Sequence, residues 1–458
     1  MSQRRENVNL GAYCRAVAAL LALAIIVAWA SPARAQFVSG VGAAVGGVSI
    51  DPSGFLSNTP VQVLAKKIRE AVADQAADVP AALQVGAKLR KISLRRLEAA
   101  IQLCKQTGRR LPNEVLYLGG LQEIRYVLVY PEQNDLVLAG PAEGWKVDAH
   151  GSVVGVRSSR PVMLLDDFLV ALRAAASSNR GVISCSIDPS RQGMQRLQQF
   201  VKTLHTIGNP EITSQAVQEQ LGPQQITVGG VPATSHFARV LVAADYRMKR
   251  ISMGLEPAPI AGLPSFVQMS KAGGTGMKNL LPRWWLAPDY KPLARDAEGL
   301  TWQLPAATVK CLTENDFFDA AGVKHQTGAT DPVSQKWAAA MSDRYEALSK
   351  AEPIFAELRN CMDLALVAAL LARENLPSKS QASLPLLLGG EGLPTATMAA
   401  PKQIASQATV MNKGHKWMIA VGGVEINPWT TVNQVRQSSS LGPVHGAAPA
   451  ADARWWWD

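Results

Sequence analysis

Residues 116–173, LYLGGLQEIRYVLVYPEQNDLVLAGPAEGWKVDAHGSVVGVRSSRPVMLLDDFLVALR, constrain the fold more than any other stretch of the chain. Residues 124–130 are rich in β-branched and aromatic side chains and lack helical periodicity, and residues 136–139 form a second apolar run of the same kind. Between the runs, Pro131 fixes its own φ, while Asn134 and Asp135 can close a turn with their side chains. The pair therefore predicts an antiparallel hairpin with a loop of about five residues. Residues 145–148 and 152–156 predict a second hairpin around Ala149, His150 and Gly151. Asp166 then stands where a helix N-cap belongs, and Phe168, Leu169 and Leu172 supply an apolar helix face. Strands this continuously apolar need cover on both sides. The fold class that follows is α/β, a mixed sheet with helices over the N-terminal two-thirds, joined to a smaller, mostly helical C-terminal region and a disordered tail.

Other segments fit that plan. Pro60 opens a helix with Val61, Leu64, Ile68 and Val72 on its buried face. Ser93 caps a helix that runs to Thr107 and stops at Gly108. Strands are expected at 182–187, 226–228 and 236–242, with helices at about 194–204 and 211–221 between the first two. Residues 256–276 are rich in Pro and Gly and read as a long surface connection or a domain boundary. Residues 333–376 read as two helices that meet at Glu352-Pro353, because proline disfavours helix in the residue before it. The expected organisation is a signal peptide at 1–35, an α/β domain at 36–255, a connection at 256–280, a helix-rich α+β region at 281–432 and a disordered tail at 433–458.

The N-terminus carries the clearest functional signal. Arg4, Arg5 and Arg15 precede the apolar run AVAALLALAIIVAWA at 16–30, and Ala33-Arg34-Ala35 is a small-x-small cleavage site. The apolar run is shorter than the about 20 residues that span a bilayer. A cleaved signal peptide is expected, with a mature chain that starts at Gln36, has no transmembrane segment and is periplasmic or secreted; the alternative is an uncleaved anchor. The whole chain of 458 residues carries a formal charge of +10. Residues 1–35 hold a net +3 of this, and the remaining +7 is spread thinly, without a basic block or a stripe of Lys/Arg between aromatics. That pattern speaks against a nucleic-acid partner.

The chemistry-bearing residues are sparse. Cys104, Cys185, Cys311 and Cys361 remain after the signal segment, and without a Cys-x-x-Cys pair they predict neither a zinc site nor a redox motif; one disulfide stays open as an expectation. Cys104 and Cys361 lie on apolar helical stripes and read as core thiols. No His-Glu-x-x-His, Gly-x-Ser-x-Gly, phosphate loop or dinucleotide fingerprint occurs, so no metal or cofactor is expected. The catalytic candidates are His236, the adjacent Ser235 and Asp245, which could form a hydrolytic site. The same residues, with Arg247, could form a structural ion pair beside a strand-end histidine, and that reading is preferred. Asp166 and Asp167 read as helix-start carboxylates that complement the dipole, and Glu143 and Asp148 as surface acids. Trp284 and Trp285 could stack on a sugar or peptide, or plug a domain junction with the indole N–H partnered; the plug is preferred. Trp455, Trp456 and Trp457 end the chain as a docking peptide or as an end that packs back on its own domain.

The segments LQEIRYVLVYPEQNDLVLAGPAEGW, SHFARVLVAADYRMKRISMGLEP, LPRWWLAPDY and EPIFAELRNCMDLALVAALL resemble a family of secreted planctomycete proteins described as a domain of unknown function. The resemblance covers most of residues 85–375. It implies export and a shared fold, and carries over no activity, cofactor or catalytic residue. The expected function is therefore that of an exported, non-catalytic binding or structural protein with another envelope protein or a glycan as partner. The alternative is a hydrolase with its site around His236.

Overall fold

The computed structural model describes residues 44–59, 79–178, 180–203, 209–272, 281–306, 308–318, 323–326, 328–389, 393–411 and 416–447. The expected signal segment, the helix opened by Pro60, and Trp455, Trp456 and Trp457 lie outside these residues.

The constraining stretch folds into the two expected hairpins. Tyr126–Tyr130 pairs antiparallel with Asp135–Ala142, and Trp145–Val147 with Val153–Gly155. The first loop is tighter than expected, one 3-10 turn at Pro131–Gln133 closed by Asn134 with φ +50°. Asp135 leaves the turn to pair with Tyr130, and its carboxylate accepts from the Ser93 hydroxyl at 2.5 Å and from the Arg95 N–H at 3.1 Å. Both faces of this hairpin are buried. Val127, Val129, Leu136 and Leu138 join the main core, while Leu128, Tyr130, Val137 and Ala139 form a separate cluster.

Ser93 does cap the helix Leu94–Thr107, accepting from the Arg96 N–H at 3.1 Å, and Gly108 ends it in the left-handed region. One hydroxyl thus holds a helix end and a buried strand carboxylate together. Ser93→Ala is expected to cost about 1–2 kcal/mol, read as a lower urea unfolding midpoint. An unchanged midpoint would show that water replaces both bonds without loss.

The strands form two large sheets. A mixed ten-stranded sheet runs in the order Ala44–Val45, Val48–Ile50, Phe55–Asn58, Gln403–Ile404, Gln224–Gly229, Ile183–Pro189, Val421–Ile426, Pro282–Pro288, Val309–Phe318 and Lys324–Gln326. A six-stranded sheet runs Val435–Gln437, Leu293–Arg295, Thr301–Gln303, Tyr126–Tyr130, Asp135–Ala142 and Ala87–Ser93. The regions expected at 36–255 and 281–432 therefore share both sheets, and the Pro/Gly-rich stretch after Glu256 runs over the surface to about residue 262 before the helix Phe266–Ala272 enters the core. Such composition marks a chain at the surface and is silent on whether the strands it joins share a sheet. The tail expected from 433 is structured as far as residue 447. Val435–Gln437 adds a parallel edge strand, and His445 stacks on Tyr130 with ring centroids 4.4 Å apart.

Helices cover the sheets. Three follow Asp331, at Pro332–Asp343, Tyr345–Ala351 and Pro353–Arg373, and the break at Glu352-Pro353 falls where proline requires it. Pro353–Arg373 is buried from Ile354 to Leu371 and packs against Leu165–Ala176 and His236–Ser252. A helix apolar on nearly every side is a core helix.

Candidate functional site

The segment expected as a strand at 236–242 is the start of the helix His236–Ser252. Val240 and Val242 favour strand locally, but Ser235 is an N-cap whose hydroxyl accepts from the Ala238 N–H at 3.1 Å. Phe237, Leu241, Ala244, Met248 and Ile251 then continue at helical spacing, all buried. His236 is the first residue of this helix, and Asp245 lies nine residues on, about 13 Å along the axis. The expected trio of Ser235, His236 and Asp245 is therefore not assembled. Ser235 is also committed to the cap, its hydroxyl donating to the Pro232 carbonyl at 2.7 Å.

The partner of His236 is Asp167. The ring Nδ1 lies 2.9 Å from Asp167 Oδ2 and 3.1 Å from Oδ1, and no other hydrogen bond of the ring occurs among the described residues. Asp166 and Asp167 were expected at a cap. The helix Leu165–Ala176 instead takes Leu164 as its N-cap, with both carboxylates buried in the first turn. Asp166 Oδ1 accepts from the Ala396 N–H at 2.9 Å. Glu357, on Pro353–Arg373, completes the group, with the Ser152 side chain of the second hairpin beside it. Three helices and two loops thus meet at one imidazole and three carboxylates.

Electrostatics decide what this group can do. Burial disfavours the charged ring, and so does its place at a helix N-terminus. The Asp167 carboxylate, with help from Glu357 and Asp166, overcomes this and raises the His236 pKa to about 9. The shift favours the charged ring at neutral pH, and a charged ring is a poor general base there. Burial pushes Glu357 up to about 7 and, together with repulsion from Asp167, Asp166 up to about 6.

Asp245 belongs to a second buried cluster. The Lys249 ammonium donates to its Oδ2 at 2.9 Å, and also to the carbonyls of Ile187 and Gly422, each at 3.0 Å. Burial pushes the Asp245 carboxyl up and the ammonium draws it back. Arg247 faces another way, bridging Glu256 and Glu352 at 2.9 Å each, which ties the helix to the Glu352-Pro353 break.

Trp284 is fully buried in the face of the ten-stranded sheet, against Phe266 and Trp337 with ring centroids 5.0 and 4.7 Å away. Its indole N–H has no hydrogen-bond partner among the described residues, against the expectation of a partnered plug. Trp285 is half-buried on the opposite side of the strand, under the Arg283 guanidinium at 4.3 Å from the ring centroid. The four thiols are free, with Cys185, Cys311 and Cys361 buried and Cys104 half-buried. Glu143, expected at the surface, is buried and accepts from Gln122 and from the Ser158 N–H and hydroxyl. Asp148 closes the turn of the second hairpin by accepting from the His150 and Ser152 N–H groups. Among the described residues, no group of three or more His, Cys, Asp or Glu is placed to hold a metal ion.

Sequence reasoning missed Asp167, Glu357 and Lys249 as functional partners. The Asp245–Lys249 spacing of i, i+4 becomes a signal once the segment is read as a helix. Glu357 stands inside an apolar run and carries no local signal.

A family model described as a protein of unknown function, DUF1598, matches residues 185–266. The matched segment holds the strands Ile183–Pro189 (from Cys185) and Gln224–Gly229 and the helix His236–Ser252, with Ser235, His236, Asp245, Arg247 and Lys249. Asp167 and Glu357 lie outside it. No curated protein and no solved structure matches the chain.

Proposed function

We propose that this chain is an exported, non-catalytic binding or structural protein whose partner is another envelope protein or a glycan. The observation that carries the reading is the clamp on His236. Its Nδ1 is held by Asp167, its charge is kept by three carboxylates, and Ser235 and Asp245 are engaged elsewhere. Export is supported by the charged start, apolar run and Ala33-Arg34-Ala35 of the N-terminal segment, and by the resemblance to a secreted planctomycete family. No helix among the described residues is long and apolar enough to cross a membrane. Trp285 beneath Arg283 offers a half-buried aromatic surface of the kind that stacks on a sugar ring or a peptide.

A hydrolase at His236 is the second reading, favoured by one feature: a carboxylate orients Nδ1 and leaves Nε2 without a hydrogen bond among the described residues. One experiment separates the two. The chain is recovered from the envelope and culture fractions, its N-terminus is sequenced, and it is assayed beside His236→Gln on ester, amide and glycoside substrates. A start at Gln36 and no turnover by either protein are expected. A start at Met1 overturns cleaved export, and turnover lost in His236→Gln overturns the non-catalytic reading.

A further inference from the structure

We propose that the junction of the helices Leu165–Ala176, His236–Ser252 and Pro353–Arg373 is a proton-operated joint, tight while Asp166 and Glu357 keep their protons and loosened when they lose them. The geometry points there first. Asp166, Asp167 and Glu357 are each buried, and all three act on the His236 ring. Asp167 faces the ring directly. Asp166 Oδ2 and Glu357 Oε2 are buried without a hydrogen-bond partner among the described residues. An ionised oxygen in that setting is costly, whereas a protonated one is tolerated. Three carboxylates around one imidazolium cannot all be ionised without repelling one another.

The surrounding groups relieve this only in part, since burial still leaves both carboxyls raised. Arg173, on the first helix, is engaged with the Leu393 carbonyl and the Thr395 hydroxyl. The third helix adds the buried Cys361 thiol, which feels both Asp167 and Glu357. The second hairpin adds another acid, Asp148, and the Ser152 hydroxyl, and the loop at 393–396 adds the Ala396 N–H.

The pKa values fix the direction. Asp166 at about 6, Glu357 at about 7 and His236 at about 9 all lie above their ordinary values. The folded chain therefore binds more protons here than the unfolded one. The stability this contributes is complete below the ordinary carboxylate range and is lost as pH rises, through Asp166, then Glu357, then His236. Loosening reaches the 393–396 loop, whose Ala396 N–H is bonded to Asp166, and the second hairpin, whose Ser152 side chain lies beside Glu357. A chain with such a joint presents those two segments differently on either side of neutral pH.

The test is thermal unfolding of the whole chain and of Glu357→Gln from pH 5 to pH 9, with tryptic cleavage at Lys146 and Arg157 beside the hairpin. Between pH 6 and 8 the Tm of the parent chain is expected to fall by about 1–1.5 °C more than that of Glu357→Gln. Cleavage at the two sites, corrected for trypsin activity, is expected to speed up with pH in the parent and to stay flat in the variant. If Glu357→Gln does not fold, Asp166→Asn takes its place in the same two measurements. Parallel Tm curves, or cleavage that rises equally in both proteins, overturn the joint.

Discussion

Lys249→Met is expected to destabilise the folded chain by about 3–5 kcal/mol, because it strands a buried carboxylate. The ammonium and its partner Asp245 are almost wholly removed from solvent, with side-chain exposures of 5% and 0%. Pairing between Ile183–Pro189 and Val421–Ile426 ends at Gly423 opposite Ser186. Just beyond, the carbonyls of Ile187 and Gly422 turn to Lys249. All three ammonium protons are therefore used, one on the carboxylate and two on strand carbonyls that lack a ladder partner there. Methionine keeps the length of the side chain and loses every one of these bonds. The double variant Asp245→Leu/Lys249→Met removes the charge with its partner and is expected to recover a large part of the loss. Urea midpoints of the parent, single and double variants measure both effects. A single variant as stable as the parent would mean that Asp245 folds neutral and needs no cation.

Gly422→Ala strikes the same place through sterics. Gly422 has φ +122°, and a Cβ there would lie 1.8 Å from the Trp284 carbonyl oxygen. The clash is with backbone of the parallel neighbour Pro282–Pro288, where Trp284 pairs with Gly422, so no side chain can swing aside. The strain of an L residue in that region adds to the overlap, for a combined loss of at least about 3 kcal/mol. Gly442→Ala is the control. It lies in the short helix Gly442–Ala447, where a Cβ meets nothing within 4 Å, and it is expected to leave the Tm unchanged or slightly raised. Equal Tm values for the two variants would show that the central strand yields by sliding along its neighbour.

Both expectations fall inside a pattern that was visible without its meaning. Gly422-Gly423-Val424 opens a short apolar run that reads as a strand ending in Asn427-Pro428, and the strand is there. That its glycines are demanded by close neighbours on both sides, Trp284 and Cys185, became apparent only when three strands were side by side. The same holds for His236. Its residue type marked it as a candidate, but its partner stands 69 residues earlier in the chain. The β-branched Val240 and Val242 hid a helix whose cap, Ser235, was in plain view.

What the sequence by itself determined is local. The two hairpins, the helix from Ser93 to Gly108 and the break at Glu352-Pro353 all follow from residues within a few positions of one another, because caps, tight turns and proline sterics act over single turns of backbone. The tertiary structure alone decided which strands share a sheet, and which buried charges meet. Lys249 reaches two strands, and Asp167, His236 and Glu357 come from three helices. A buried charge must find its partner through space, and burial, which no local pattern encodes, is what gives that pairing its energy.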